Sequence, residues 1–270
     1  MLFILVGFGI TGRIERKHNI IKADSTIVVN NEQLKTVDLV KKYQPVIYSS
    51  ENIPEVVDMK YEVSEIDDAF VFIYHTEWED ESHPNFLQDV AWRIFRFSYF
   101  GFTLNDSEYI QINIDKKSGN LVKVKFDSPD ICKSSIWAHD KRITTELEYQ
   151  SEGVYQVYKI KDDEKKKTGE YGLQGNILQL EVKNWNHLFE IAENPAQENR
   201  LNFDLTYLED DEYKSRKYAR RHFGDIHTPK SAANTPIIIF ASIIFITYFV
   251  IILRDYSLTE KKINKQSENA

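Results

Sequence analysis

The residues best suited to chemistry lie in the stretch YHTEWEDESHP, residues 74–84, directly after the apolar run AFVFI. A β-strand points successive side chains to opposite faces, so a strand over residues 69–79 places His75, Glu77 and Glu79 on one face. Carboxylate oxygens suit Ca²⁺ or Mg²⁺, and imidazole nitrogen suits Zn²⁺ or iron. Two glutamates can also act as general acid and base when burial separates their pKa values.

A second pair of acids precedes another alternating segment. Asp106 and Glu108 have the same parity as Ile110 and Ile112, which predicts that both acids lie at the mouth of the core face. If the two strand ends meet, all five candidate residues can hold one divalent cation, with Ca²⁺ or Mg²⁺ favoured over Zn²⁺. Three interpretations stay open: solvated strand ends, a metal or ligand site, and acid–base catalysis.

The elements that must position these residues are mostly strands. The charged run 161–172 predicts a solvated loop, residues 31–45 predict a helix that ends at Pro45, and a further helix begins at 85 with Asn85 as its cap. Together they predict a mainly β (α+β) class, an antiparallel β-sandwich-like domain with a few helices over residues 24–210. Strands are expected in VIYSS, VVDMKYEV, AFVFIYHTEWE, EYIQINID, LVKVKFD, ELEYQ, VYQVYKI and NILQLEV.

The C-terminal part predicts a membrane anchor. Residues 236–253 read PIIIFASIIFITYFVIIL, an uncharged run long enough to cross a bilayer as one helix. A basic juxtamembrane stalk over 211–235 precedes it, and a polar tail over 254–270 follows it. Arg220 and Arg221 in the stalk are candidates for contact with anionic lipid.

The apolar N-terminal segment, 1–23, has three open interpretations: a signal peptide or anchor, a buried strand or helix, and an incomplete membrane span. Basic residues flank the predicted C-terminal span almost evenly, so the positive-inside rule does not fix its orientation. If the N-terminus is a signal, the main domain is exported, and we expect that arrangement.

Composition excludes some classes of protein. The net charge is −8, which argues against a nucleic-acid partner, because binding to phosphates requires a basic face. Cys132 is the only cysteine, so the chain can form neither an intrachain disulfide nor a CxxC zinc site.

Two quoted segments resemble a known family. KKYQPVIYSSENIPEVV and DSEYIQINIDKKSGNLVKVKFDS, within residues 42–130, are similar to motifs of proteins related to the yeast vacuolar sorting protein sixty-two and of the necrosis- and ethylene-inducing peptide-like toxins. The resemblance implies a β-sandwich in which Asp106 and Glu108 are cation-binding acids. Ser107 stands where the family motif has tryptophan.

The function predicted is a membrane-anchored, non-catalytic binding or accessory domain that holds a divalent cation. Two alternatives stay open: a metal-assisted hydrolase that uses the same acids, and a structural subunit of a membrane complex. No protein partner, ligand or substrate follows from the sequence.

Overall fold

The computed structural model describes residues 10–16, 20–49, 56–79, 85–90, 106–129, 142–161, 163–173, 175, 177–182, 187–209, 227–233, 246, 247, 249–252 and 254. The chain divides into two units, of which one is Ile14–Pro229 and the other combines Met1–Arg13 with Lys230–Ala270. Strands dominate the described residues. The helix α1 spans Thr36–Lys42, and the strands are β1 Ile10–Arg16, β2 Thr26–Val29, β3 Glu32–Lys35, β4 Val46–Ser49, β5 Val56–Ile66, β6 Ala69–Trp78, β7 Asp106–Asp115, β8 Leu121–Pro129, β9 Arg142–Ser151, β10 Val154–Lys161, β11 Glu164–Gly172, β12 Gln179–Val182, β13 Phe189–Ile191, β14 Leu205–Tyr207 and β15 His227–Ala233.

An eight-stranded sheet forms the frame, in the order β11-β10-β9-β8-β7-β6-β5-β14. Consecutive strands from β5 to β11 pair antiparallel, and β14 joins β5 in parallel. Smaller sheets are β13-β12-β4, β2-β3 and β1-β15. Antiparallel neighbours need no crossover. Short connections join β5 to β6, β7 to β8, β9 to β10 and β10 to β11, whereas longer segments join β6 to β7 and β8 to β9.

One face of the large sheet carries the hydrophobic core, and we call it the core face. Phe70, Phe72 and Tyr74 of β6 lie on it, and they cluster with residues of α1, β2, β4, β12 and β13. The Tyr74 hydroxyl donates to the Val40 carbonyl of α1 at 2.8 Å. These smaller elements therefore form a second layer over the core face, and the predicted mainly β, sandwich-like class is confirmed.

The opposite face, here the outer face, is also buried along β6. Val71 and Ile73 form a small apolar cluster there with Tyr109 of β7. All residues of β6 after Ala69 are buried, so this strand is covered on both faces.

Two sequence predictions are wrong. The predicted helix over 31–45 starts only at Thr36, because Asn30 and Asn31 have φ values of 51° and 63° and join β2 to β3. Two consecutive left-handed residues make the tight hairpin turn that Asn favours. The predicted loop over 161–172 is mostly the strand β11, which pairs with β10 although its side chains are largely exposed. Backbone pairing with a neighbour outweighs the low strand propensity of a charged segment.

The structure describes only parts of the other two predicted helices. Residues 86–90 are helical, and the Asn85 side chain caps them by accepting from the amides of Leu87 and Gln88 at 3.1 and 3.2 Å. The rest of that helix lies outside the described residues, as do most residues of the predicted span 236–253. Within the described part of the chain, no helix has the length and apolar character needed to cross a membrane.

We expect Ile112→Ala to lower the free energy of unfolding by about 2–5 kcal/mol, because Ile112 is fully buried on the core face. Urea unfolding measures the change. The control Lys166→Ala, on the exposed strand β11, should change it by less than about 0.5 kcal/mol. Equal effects of both substitutions would contradict the assignment of the core face.

Candidate functional site

The register of β6 and β7 separates the five predicted ligands. Glu77 lies opposite Ser107, and Thr76 lies opposite Glu108. Directly opposed residues in a sheet point to the same face. Glu77 therefore shares the outer face with Ser107, whereas Glu108 lies on the core face.

His75 is part of a buried polar contact on the outer face. Its Nε2 is 3.2 Å from a Glu62 carboxylate oxygen, and neither side chain is exposed to solvent. The His75 ring also packs edge-on against Tyr109, with ring centroids 4.7 Å apart. The structure thus pairs His75 with an acid that the sequence analysis did not single out.

The two glutamates that follow His75 differ in environment. Glu77 is buried, and its Oε1 lies 4.0 Å from Nζ of Lys60, which also approaches Asp58 at 3.8 Å. Glu79 is exposed. Parity alone groups these residues with His75, but burial separates Glu79 from the other two.

No group of three or more His, Cys, Asp or Glu side chains within the described ranges is arranged to hold a metal ion. The backbone of Asp106 is described and lies opposite Trp78, but its side chain lies outside the description. The prediction of one five-residue cation site stays a prediction, and its members lie on both faces of the sheet.

A different arrangement appears on the core face, at the sheet end where β6 stops. Five adjacent strands, β6 to β10, each contribute one polar side chain to this end. The first four of these side chains have at most 1% of their surface exposed, and the lysine is partly buried. We call this set the polar row; its members are Thr76, Glu108, Ser128, Thr145 and Lys159.

Hydrogen bonds hold the Glu108 end of the polar row. Trp78 Nε1 donates to the Thr76 hydroxyl at 3.2 Å, and that hydroxyl donates to the Glu108 carbonyl at 3.3 Å. The side chain of Trp78 is fully buried. These two hydrogen bonds link the Trp78 ring, through the Thr76 hydroxyl, to the backbone of Glu108 and so hold that backbone in position.

His187 lies against this end from the second layer. Its ring stacks on the Trp78 ring at 4.6 Å between centroids and 3° between planes, and it is fully buried. Its φ of 57° is a left-handed conformation that non-glycine residues rarely adopt. Such residues cluster at sites of function, where the surrounding structure compensates the cost of about 1–3 kcal/mol.

The other end of the polar row is a line of hydrogen bonds. Lys159 Nζ donates to Thr145 Oγ1 at 2.6 Å, and Thr145 shares a short hydrogen bond with Ser128. Burial lowers the pKa of Lys159, and the charge of nearby Glu190 partly opposes the shift. An amine of lowered pKa beside a hydroxyl can serve as a general base. However, the side chains of Ser128 and Thr145 are 0% and 1% exposed, which leaves a substrate no approach to either hydroxyl.

Sequence reasoning missed four members of this region, namely Ser128, Thr145, Lys159 and His187. The first three continue alternating strand patterns, so counting parity onward from the apolar residues could have placed them on the core face. His187 carries no such signal. Its position follows from the packing of the second layer.

Comparison with known proteins gives a distant structural likeness. No family model matches the sequence, and no curated protein matches it significantly. Among solved structures, one described as "Toxin fold for microbial attack and plant defense" has a TM-score of 0.37 and 9% identity, with 74% of this chain and 86% of the other covered. NLPPya in complex with mannosamine has a TM-score of 0.35 and 9% identity over 73% and 84%, and its complex with glucosamine has 0.35 and 10% over the same shares.

These structures are necrosis and ethylene-inducing peptide-like toxin-fold proteins, one of the two groups that the sequence resembles. No vacuolar-sorting protein is among the matches described above. With TM-scores below 0.5, the likeness neither establishes the fold nor transfers a ligand to this chain.

We expect the pH dependence of stability to change when Lys159 is replaced by Met. Because burial lowers the pKa of Lys159 below 10.5, the folded protein releases this proton at a lower pH than the unfolded chain does. Between the two pKa values the unfolded state binds more protons, so this lysine makes the free energy of unfolding rise with pH.

Urea unfolding at several pH values up to about 10.5 measures the effect. The wild type should gain stability relative to Lys159→Met as pH increases, and Lys166→Met provides the control of an exposed lysine. Parallel curves for wild type and Lys159→Met would show that Lys159 titrates alike in both states.

Proposed function

We propose that this protein is a membrane-anchored, non-catalytic binding domain, and that the Glu108 end of the polar row binds a hard divalent cation. One observation carries the proposal: the Glu108 carboxylate is fully buried at the end of the core. At the same strand end, His187 stacks on Trp78 in a left-handed backbone conformation. A solvated strand end, the main alternative for these acids, would leave Glu108 exposed.

Charge and chemistry favour a cation at this position. Ca²⁺ and Mg²⁺ take carboxylate oxygens as ligands. Glu108 would supply one ligand and Asp106 another, and the Trp78 stack would orient His187 towards the same site.

A binding role needs only that the carboxylate be held in place. The hydrogen bonds from Trp78 to Thr76 and from Thr76 to the Glu108 carbonyl fulfil that requirement. Catalysis would further require that a substrate reach a nucleophile. The hydroxyls of Ser128 and Thr145 are buried, so we assign the role of nucleophile to neither of them.

The membrane anchor in the proposal is the segment 236–253. Helical residues of this region expose large apolar side chains to between 49% and 59%; these are Ile246, Phe249, Val250, Ile251 and Ile252. A contiguous exposed apolar surface marks a membrane or protein contact. We place residues 24–210 on the extracytoplasmic side, the tail 254–270 in the cytoplasm, and Arg220 and Arg221 at anionic lipid headgroups.

We expect the purified full-length chain to bind Ca²⁺ or Mg²⁺ stoichiometrically, and Glu108→Gln to abolish this binding. The substitution keeps the shape of the side chain and removes its charge. Elemental analysis after dialysis and calorimetric titration measure the binding. Glu164→Gln is the matched control, since Glu164 is an exposed acid of β11 and is not among the predicted ligands.

Several outcomes would contradict the cation site. The first is that the wild type holds no metal and its melting temperature is unchanged by a chelator. The second is that both variants lose binding equally. The chelation measurement uses the wild type, so it decides the matter even if Glu108→Gln does not fold. Hydrolysis of a panel of esters and phosphoesters, lost in Glu108→Gln, would support the hydrolase alternative instead.

A reporter fused at Ala270 tests the membrane part. We expect the protein to resist extraction from membranes at alkaline pH and the reporter to be active on the cytoplasmic side only. Extraction of the intact chain without detergent would overturn the anchor. A tail on the opposite side would overturn the orientation.

A further inference from the structure

A pocket of about 480 Å³ lies in the larger unit. The end of α1, the start of β4 and the segment 200–204 line it. Its volume falls within the range of small-molecule sites, roughly 300–1,000 Å³. Neither the predicted site residues nor the polar row contributes to its wall.

Three cations line this pocket, from two separate segments of chain. Lys41 and Lys42 come from the last turn of α1, and Arg200 follows the short 3-10 helix Gln197–Asn199. Lysines near a helix C-terminus stabilise the helix dipole, which accounts for the presence of the first two. It does not account for Arg200, which approaches the same space from elsewhere.

Basic residues in the described part of the chain divide into those with an ion pair and those without one, and the exposed Lys22, Lys35 and Lys166 are among those without. In the described part of the chain, Lys60, Lys116, Lys125 and Lys165 each have a carboxylate within 4.0 Å. Among the same residues, Lys41, Lys42 and Arg200 have none within that distance, although Asp204 also lines the pocket. In a chain with a net charge of −8, three cations without an ion pair in one concave site favour an anionic ligand.

Backbone hydrogen bonds hold the pocket wall in place. The Leu201 amide donates to the Ile47 carbonyl at 2.9 Å, and the Val46 amide donates to the Leu178 carbonyl at 2.9 Å. Arg200 and Tyr48 also form a β-bridge. A wall fixed before binding lowers the ordering cost that a ligand must overcome.

The lining indicates which anion fits. Three cations and the Asp204 carboxylate leave two net positive charges, which match a dianionic phosphate monoester. A guanidinium such as that of Arg200 can donate two parallel hydrogen bonds to a phosphate. Asp204 can accept from ligand hydroxyls, the amides of Gln44 and Asn202 can donate or accept, and Phe203 offers an apolar surface.

We infer that this pocket binds a small hydroxylated phosphate monoester through Arg200, Lys41 and Lys42. The same chemistry occurs in free metabolites and in the headgroup of phosphatidic acid. The site is separate from Glu108, so binding here requires no cation at the polar row.

Calorimetric titration of the full-length chain in neutral detergent tests the inference. The probes are glycerol 3-phosphate for the free source and dihexanoylphosphatidic acid for the lipid source, with glycerol and dihexanoylphosphatidylcholine as ligand controls. We expect one phosphate monoester to bind at a single site with a dissociation constant below about 1 mM. Both Arg200→Gln and Lys42→Gln should weaken binding by about tenfold or more, since each removes a charge-assisted contact.

Exposed side chains are replaced in both variants, so folding should be retained, and circular dichroism checks it. Lys166→Gln, at an exposed lysine of β11, should bind as the wild type does. Binding of glycerol 3-phosphate supports a soluble ligand, and binding of the lipid alone supports a headgroup. If neither probe binds, or if Arg200→Gln and Lys42→Gln bind as the wild type does, the inference is wrong. The wild type should bind the phosphate probe equally well with and without a chelator of divalent cations, which separates failure of this site from failure of the cation site.

Discussion

The interior strand β6 is buried on both faces, and the placement of the predicted site residues depends on that constraint. Its register with β5 and β7 fixes which side chains share a face. Because the side-chain period of a strand is two, a shift of one residue would exchange the two faces completely. Phe72 and Tyr74 then define the core face, and His75 and Glu77 must lie on the other one.

The two buried faces use different chemistry. The core face is apolar over most of its area and becomes polar only at one end, where the polar row begins. The outer face places buried acids beside basic side chains, namely Glu62 beside the buried His75 and Glu146 beside the partly buried Lys125. Burial alone would raise the pKa of Glu146, but its hydrogen bond from Lys165 and the charges of Lys125 and Lys123 lower that pKa overall. A shifted register would leave such groups without their partners, so these pairs reinforce the register that the core face requires.

Local patterns predicted most of the strands. Aromatic and β-branched residues identified β5 and β6. Alternating residues identified β7 and β8, because a pleated strand with one apolar face leaves a period-two signal in the sequence. Prediction from local sequence was wrong at two places where backbone conformation or strand pairing outweighed the preference of the side chains. At Asn30 and Asn31 two left-handed residues turned a predicted helix start into a hairpin, and at β11 pairing with β10 ordered a charged segment. In both cases backbone geometry or hydrogen bonding determined the structure, and the polarity of the side chains gave no indication of it.

The sequence by itself determined the mainly β class, the strands β7 and β8, the cap at Asn85 and the faces on which His75, Glu77 and Glu108 lie within their own strands. Tertiary structure alone decided how those strands align. It placed His75 beside Glu62, left Glu79 exposed, brought Lys159 to Thr145 and stacked His187 on Trp78. It also joined Arg200 to the end of α1 in one pocket. The physical reason is range: parity and capping act over a few residues of chain, whereas register, burial and packing depend on segments that are far apart in sequence.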